Sequence, residues 1–285
     1  MKKILLPTDF SENSINAIHY ALQFYKYEQC KFYLLNVQKA SSFVTDDLMT
    51  MQPSATIFNS LISSVKEQIE SLTKDLQQEY ENALHDFKSI VDYDNFIEAI
   101  NNLVDVEQID LIIMGTRGAT KIGEKLFGSN TTRVIQHSNC PVIAIPNNYK
   151  YSQIMDVVFT SNYYTQYSYK DLKPLIDLVE KHDYMVHVIH VKDSEYITDY
   201  QENNRAFLDS CFSNVNHSFV ALEQGDLFNS VTNYITTHKI DFLAMMSRKH
   251  SFLERLFITH PAERFAFDLK VPLLVMENTG EFYLK

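Results

Sequence analysis

Glycine is scarce in this chain. Six glycines occur in 285 residues, and four of them, Gly115, Gly118, Gly123 and Gly128, fall within one short stretch. Glycine is kept where the backbone needs positive φ or where another group must come close, so the cluster marks one place of unusual backbone demand. Cysteine is scarce too. Cys30, Cys140 and Cys211 have no close pairing, which argues against a disulfide framework or a zinc site and leaves them as small buried side chains. No apolar run reaches about 18 residues, and no signal-peptide pattern lies near Met1, so the cytoplasm is the expected location and no membrane contact is expected. Basic residues are outnumbered, 25 to 36, for a net charge of −11. That far field repels phosphate and disfavours general nucleic-acid or acidic-lipid binding. The imbalance is even, 13 basic and 18 acidic in residues 1–150 against 12 and 18 in the remainder, so there is no basic arm. A local nucleotide site stays open. The ten histidines show no metal-ligand spacing with acidic support, and His187 and His190 read as packed or rim residues of an apolar run.

What is present is a duplication. Asp110-Leu-Ile-Ile-Met matches Asp241-Phe-Leu-Ala-Met, and one offset of 131 residues carries Asp110 through Ile145 without a gap, placing Pro141 on Pro272. Earlier, Ile4-Leu-Leu-Pro-Thr-Asp9 pairs with Val157-Val-Phe-Thr-Ser-Asn162, and Phe32–Val37 with Val186–Val191. Repeats this long are whole domains, expected at 1–147 and 151–278.

Within the first repeat, strands and helices alternate. Ile4–Leu6, Phe32–Val37, Phe87–Val91, Leu111–Met114 and Val142–Ile145 read as strands. Helices are expected after Ser11, from Leu61 to about Leu84, over Phe96–Val106 and over Ser129–Ser138, with residues 38–58 as a long polar connection. The second repeat follows the same order, with a shorter second helix near Asn203–Phe212. Strands apolar at nearly every position are buried on both faces, and their alternation with helices specifies an α/β fold of two tandem doubly wound five-stranded parallel-sheet domains.

The glycine stretch, Met114-Gly-Thr-Arg-Gly-Ala-Thr-Lys-Ile-Gly-Glu-Lys-Leu-Phe-Gly-Ser-Asn-Thr-Thr, joins the fourth strand to the fourth helix. Gly115 and Gly118 permit a turn with close backbone approach. Gly128 opens the start of a helix, where free N–H groups and partial positive charge favour an anion, and Ser129, Asn130 and Thr131 add side-chain donors. In a doubly wound sheet the ends of strands one and four flank the ligand crevice, which brings Asp9 to the same place. An ordinary turn with a helix cap, and an Asp9 that merely charges the start of the first helix, are the structural alternatives. Neither a P-loop Gly-Lys-Ser/Thr nor the dinucleotide Gly-x-Gly-x-x-Gly is present.

Gly115-x2-Gly118-x9-Gly128-Ser129, with the opening Ile4-Leu-Leu-Pro-Thr-Asp9-Phe-Ser and the closing Cys140-Pro-Val-Ile-Ala-Ile-Pro146, resembles the ATP-binding universal stress proteins, and both halves share the likeness. The resemblance implies a tandem protein of the adenine nucleotide alpha hydrolase-like fold, closed into an intramolecular pseudo-dimer by pairing of the fifth strands near Val142–Ile145 and Leu273–Met276. It implies that Pro7, Thr8 and Asp9 line an adenosine pocket, with Asp9 on the ribose and the Val37 backbone facing adenine. Met114 and Gly115 would border ribose and phosphates. Arg117 and Gly118 would follow the triphosphate, and Gly128, Ser129, Asn130 and Thr131 would bind phosphates at the helix start. Lys121 and Lys125 lie in the intervening loop. ATP, with Mg²⁺ helped by Asp9, is the implied cofactor, and a homodimer is a further implication.

Under the same alignments Gly115 becomes Met246, Gly118 Lys249, Gly128 Thr259, Ser129 His260, Asp9 Asn162 and Pro7 Thr160. Each adds bulk or removes charge, so one ATP site per chain is expected. Arg248, Lys249, His250, Arg255, His260 and Arg264 form a basic group there, readable as another anion site or as solvated surface. The expected role is an ATP-binding stress-response regulator with an unknown protein partner, without efficient catalysis beyond slow hydrolysis or autophosphorylation. A nucleotide-free interaction protein and an ATP-splitting enzyme of the same fold class are the alternatives.

Overall fold

Unbroken apolar runs become strands buried on both faces: Ile4, Leu5, Leu6, Phe32, Leu34, Ile112, Val157, Val158, Phe159, Phe242 and Ala244 are all fully enclosed. Each such large side chain contributes roughly 1.5–3 kcal/mol through its removal from water. In the computed structural model, which describes residues 1–38, 55–93, 95–116, 129–164, 166–192, 196–247 and 270–278, the elements run β1 (Lys2–Pro7), α1 (Glu12–Phe24), β2 (Cys30–Val37), α2 (Ala55–Tyr80), β3 (His85–Asp92), α3 (Phe96–Glu107), β4 (Leu111–Gly115), α4 (Ser129–His137), β5 (Val142–Ile145), β6 (Asp156–Thr160), α5 (Tyr169–His182), β7 (Met185–Val191), α6 (Asp199–Cys211), β8 (His217–Leu222), α7 (Leu227–His238), β9 (Phe242–Ser247) and β10 (Leu273–Glu277).

The chain divides into two compact units, and among the described residues the division falls between Cys140 and Pro141. In the first unit the strand order is β3-β2-β1-β4, all parallel. In the second it is β5-β10-β9-β6-β7-β8, parallel except that β5 runs antiparallel to β10, with Val142 opposite Val275 and Ala144 opposite Leu273. The two fifth strands therefore pair, and the fifth strand of the first repeat packs within the second unit.

The duplication extends to register. Ile4 faces Leu111 and Phe32 in the first unit; their counterparts Val157, Phe242 and Val186 meet identically in the second. An aspartate braces the same strand start in each unit: Asp110 accepts the Lys3 N–H at 2.8 Å, and Asp241 accepts the Asp156 N–H at 3.2 Å. Left-handed Gln108 and Lys239 end α3 and α7 in equivalent ways.

Several boundaries differ from the sequence expectation. Helix α2 begins at Ala55 and stops at Tyr80 rather than near Leu84, because Glu81 takes φ 38° and the Asn82 amide turns to the Lys26 carbonyl at 2.8 Å. Strand β3 consequently starts at His85, two residues early. Helix α6 starts at Asp199 rather than Asn203, set by a reciprocal capping box between Thr198 and Gln201. All three cysteines are buried, and none forms a disulfide.

Candidate functional site

The carboxyl ends of β1, β2 and β4 and the starts of α1 and α4 converge on one end of the first unit. Their positions follow from local hydrogen bonds. Thr8 continues the β1 ladder by donating its N–H to the Leu35 carbonyl at 2.8 Å. Its buried hydroxyl lies 3.0 Å from the Ser14 hydroxyl and accepts the Phe10 N–H at 3.0 Å. This holds Phe10 at φ 61°, a left-handed conformation rare for a bulky residue. The chain then turns into α1, whose N-cap Ser11 accepts the Ser14 N–H.

Asp9 is exposed at the apex of this turn. Its Oδ1 accepts the Ser11 N–H at 3.1 Å and the Ser11 hydroxyl at 2.5 Å. The second unit tests what the turn requires. Asn162 occupies the matching place and its Oδ1 accepts the Tyr164 N–H at 3.0 Å. A neutral amide therefore sustains the equivalent backbone turn in the second unit.

Strand β4 ends at Met114 and Gly115, both buried, followed by buried Thr116. A Cβ on Gly115 would stand 2.6 Å from Asn13 Nδ2 and 2.8 Å from the Asn13 carbonyl oxygen. The absence of a side chain thus lets α1 pack against β4, a structural demand beyond the turn and the close backbone approach that the sequence suggested for this glycine. Buried Thr131 donates its hydroxyl to the Gly115 carbonyl at 2.8 Å, tying the first turn of α4 to the end of β4. Ser129 and Asn130 are exposed at that helix start, and no acid lies in its first turn. Its amide dipoles are therefore not neutralised by a neighbouring carboxylate of the same turn.

Pro7, Thr8, Asp9, Val37, Met114, Gly115, Ser129, Asn130 and Thr131 thus lie on the elements that meet here. Arg117, Gly118, Lys121, Lys125 and Gly128 lie outside the described residues, as do Arg248, Lys249, His250, Arg255, His260 and Arg264 of the second repeat. Sequence reasoning also missed Asn36 and Gln38. Asn36, only 2 % exposed in an otherwise apolar strand, donates Nδ2 to the Thr8 carbonyl at 2.8 Å and accepts Gln38 Nε2 at 2.6 Å. A lone amide inside an apolar run was the available signal, because a buried polar group requires a partner.

Nothing here supplies a reactive thiol. Burial, with Asp110 nearby, pushes the Cys140 thiol up to about 12, so it stays protonated at neutral pH. Among the described residues no group of three or more His, Cys, Asp or Glu side chains is placed to hold a metal ion, and no helix is long and apolar enough to cross a membrane.

In the second unit the equivalent turn is packed against β7 and α6. Ser161 copies Thr8, accepting the Tyr163 N–H at 3.0 Å with Tyr163 at φ 58°. Buried Tyr163 stacks on buried His190 with ring centroids 4.7 Å apart, and burial pushes its phenol up to about 12. Helix α6 closes over this turn: Gln201 donates to the Asn162 carbonyl at 3.1 Å and Asn204 to the Tyr163 carbonyl at 2.8 Å. Met246, where the first repeat has Gly115, is buried.

Residues 1–146 match the family model described as the universal stress protein family. The chain is 30% identical over 152 residues to universal stress protein MJ0577 of Methanocaldococcus jannaschii, covering 50% of this chain and 94% of that protein. A universal stress protein structure from Archaeoglobus fulgidus is similar over 97% of this chain and 96% of its own, at 20% identity and a TM-score of 0.69. A universal stress protein solved in complex with cAMP is 20% identical, covering 50% of this chain and 96% of that chain, with a TM-score of 0.33.

Proposed function

This chain belongs to the universal stress protein family, and from that premise we propose that its first half binds ATP, one molecule per chain, and that occupancy sets the affinity for a protein partner in a stress response. One observation carries the reading: exposed Asp9 follows β1, and the acid-free start of α4 is tied by Thr131 to the end of β4, the strand paired with β1. The exposed carboxylate suits ribose hydroxyls, and the α4 amides suit phosphate. Arg117, Gly118 and Gly128 would complete the phosphate side, with Val37 at the base. When bound, ATP supplies a polyanion whose charge the helix start and loop amides balance, and Asp9 is positioned to assist a Mg²⁺ ion.

The proposed domain limits are 1–147, holding the site, and 151–278, the degenerate copy. The protein acts in the cytoplasm on this reading, with turnover no faster than slow hydrolysis or autophosphorylation, and homodimerisation is open to a sizing measurement. Denaturing the purified protein and identifying released nucleotide by mass tests the proposal directly. ATP is expected at close to one per chain, and its loss is expected in Gly118→Val and Gly128→Val. Unchanged ATP in both variants rejects the placement, and recovery of a flavin moves the function to electron transfer.

The second unit favours one competing role. It keeps the parallel sheet without the glycines, with its turn packed against His190 and α6, which supports a nucleotide-free interaction module. No thermal shift with ATP in the whole protein would leave that role standing alone.

A further inference from the structure

The two amides at the end of β2 have fixed orientations. The Thr8 carbonyl can only accept, so the nitrogen of the Asn36 amide must face it, 2.8 Å away. Asn36 Oδ1 is thereby turned toward Gln38 and can only accept in its turn, which orients Gln38 with Nε2 inward at 2.6 Å. The Gln38 main chain is held as well, its N–H donating to the Asp92 carbonyl at 2.9 Å. With the nitrogen arm turned in toward Asn36, the carbonyl arm, Oε1, is turned away from it at the carboxyl end of β2.

The second unit is an internal control. His190 replaces Asn36 and makes the equivalent bond, Nδ1 to the Ser161 carbonyl at 3.1 Å. Lys192 replaces Gln38, and its N–H likewise continues the ladder, to the Leu222 carbonyl at 3.0 Å. Its side chain does not join the relay: Lys192 Nζ goes to Glu223 at 2.9 Å. The first link is thus part of the shared fold, holding the turn after the first strand. The second link, the inward Gln38 amide, belongs only to the half with the charged Asp9.

We propose that Asn36 and Gln38 form an amide relay that fixes a hydrogen-bond acceptor at the base end of the crevice and selects adenine over guanine. This rests on the nucleotide reading above and adds the base specificity. Adenine presents an amino donor where guanine presents a carbonyl acceptor. A fixed Oε1 therefore bonds the first and opposes the second. A side-chain amide free to flip would present a donor or an acceptor with equal ease and select neither. The relay removes that freedom, because reversing Gln38 would set Oε1 against Asn36 Oδ1.

The test is calorimetric titration of the full chain with ATP and with GTP. The wild type is expected to bind ATP at least about tenfold more tightly, the scale of one hydrogen bond made against one opposed. Gln38→Leu removes the acceptor. Gln38→Lys, which installs the second repeat's residue, also removes it. Both are expected to bring the two dissociation constants within about threefold while leaving phosphate-side affinity in place. If the tenfold preference persists in both variants, or ATP and GTP weaken together with their ratio unchanged, the relay does not select the base and the nucleotide reading survives. If the wild type binds neither nucleotide, both inferences fall.

Discussion

The two halves of this chain share strand register, aspartate braces and turn geometry, yet one end of each sheet differs. In the first half the crevice beyond β1 carries Asp9 at the turn, with Gly115 packed on α1 and Thr131 tying α4 to the strand end. In the second, Tyr163 and His190 stack there and two amides of α6 occupy the turn carbonyls. The second half keeps the parallel pairing of β9 with Met246 where the first has Gly115, so the strand order does not depend on that glycine. It also shows that the turn itself needs only a side-chain acceptor, and the charge of Asp9 is assigned to the proposed nucleotide site.

The sharpest way to break the contrast is to exchange the residues after β4. Gly115→Met should destabilise the first unit by about 3 kcal/mol in urea unfolding, since its Cβ meets the Asn13 backbone as well as its side chain. Full stability of Gly115→Met would show that helix packing is not what keeps this glycine.

Ligand linkage gives the next effect. At a hundredfold excess of ATP over its dissociation constant, the wild type should gain about 2.7 kcal/mol of apparent stability. Asp9→Asn, which makes the first turn like the second, should keep the unliganded melting temperature within about 1 °C and lose most of that gain. An equal loss of unliganded stability would return Asp9 to a purely structural role.

Loosening the contact of α6 with the turn in the second half should cost less. Gln201→Ala and Asn204→Ala each strip a bond from a turn carbonyl, for about 1–2 kcal/mol apiece. Hydrogen exchange should speed in α6 before the rest of the unit. If exchange is unchanged there, the helix is held by its apolar contacts alone.

The smallest expected effect is a pH dependence particular to the second half. His217 stands where the first repeat has Phe87. Burial lowers its pKa, but the Val215 carbonyl and the Asp209 carboxylate outweigh it, so the value lies above the ordinary 6.5. Stability from this ion pair is complete below the unfolded value and fades as pH rises through the higher folded value. His217→Gln should therefore cost under about 1 kcal/mol at pH 5.5 and almost nothing at pH 9, followed by thermal melts. A larger cost at pH 9 would reverse the assigned sign.

Much of the fold was legible because its signals are local and repeated. Apolar runs such as Ile4–Leu6 and Leu111–Met114 announced buried parallel strands, and the 131-residue offset predicted that Leu273–Met276 would behave like Val142–Ile145. The missed boundaries came from single capping events: the Thr198–Gln201 box was present in sequence but was not weighed, while the reversal at Glu81 depends on Asn82 reaching Lys26 far along the chain. For the site, Asp9 and the α4 start were readable from motif and strand order. Asn36, Gln38 and the second reason for Gly115 were not, because each depends on a partner from another strand or helix.

The residue order by itself determined a duplicated α/β chain, its family, and the asymmetry between a glycine-bearing copy and a bulky one. Those follow from side-chain chemistry and spacing along the chain. Only the tertiary structure decided that Asn162 can hold the same turn without charge, that α6 bonds the second turn, and that Gln38 turns inward while Lys192 turns to Glu223. Hydrogen bonds are directional and short, so which donor satisfies which carbonyl is settled only once separate elements have been brought within about 3 Å of each other.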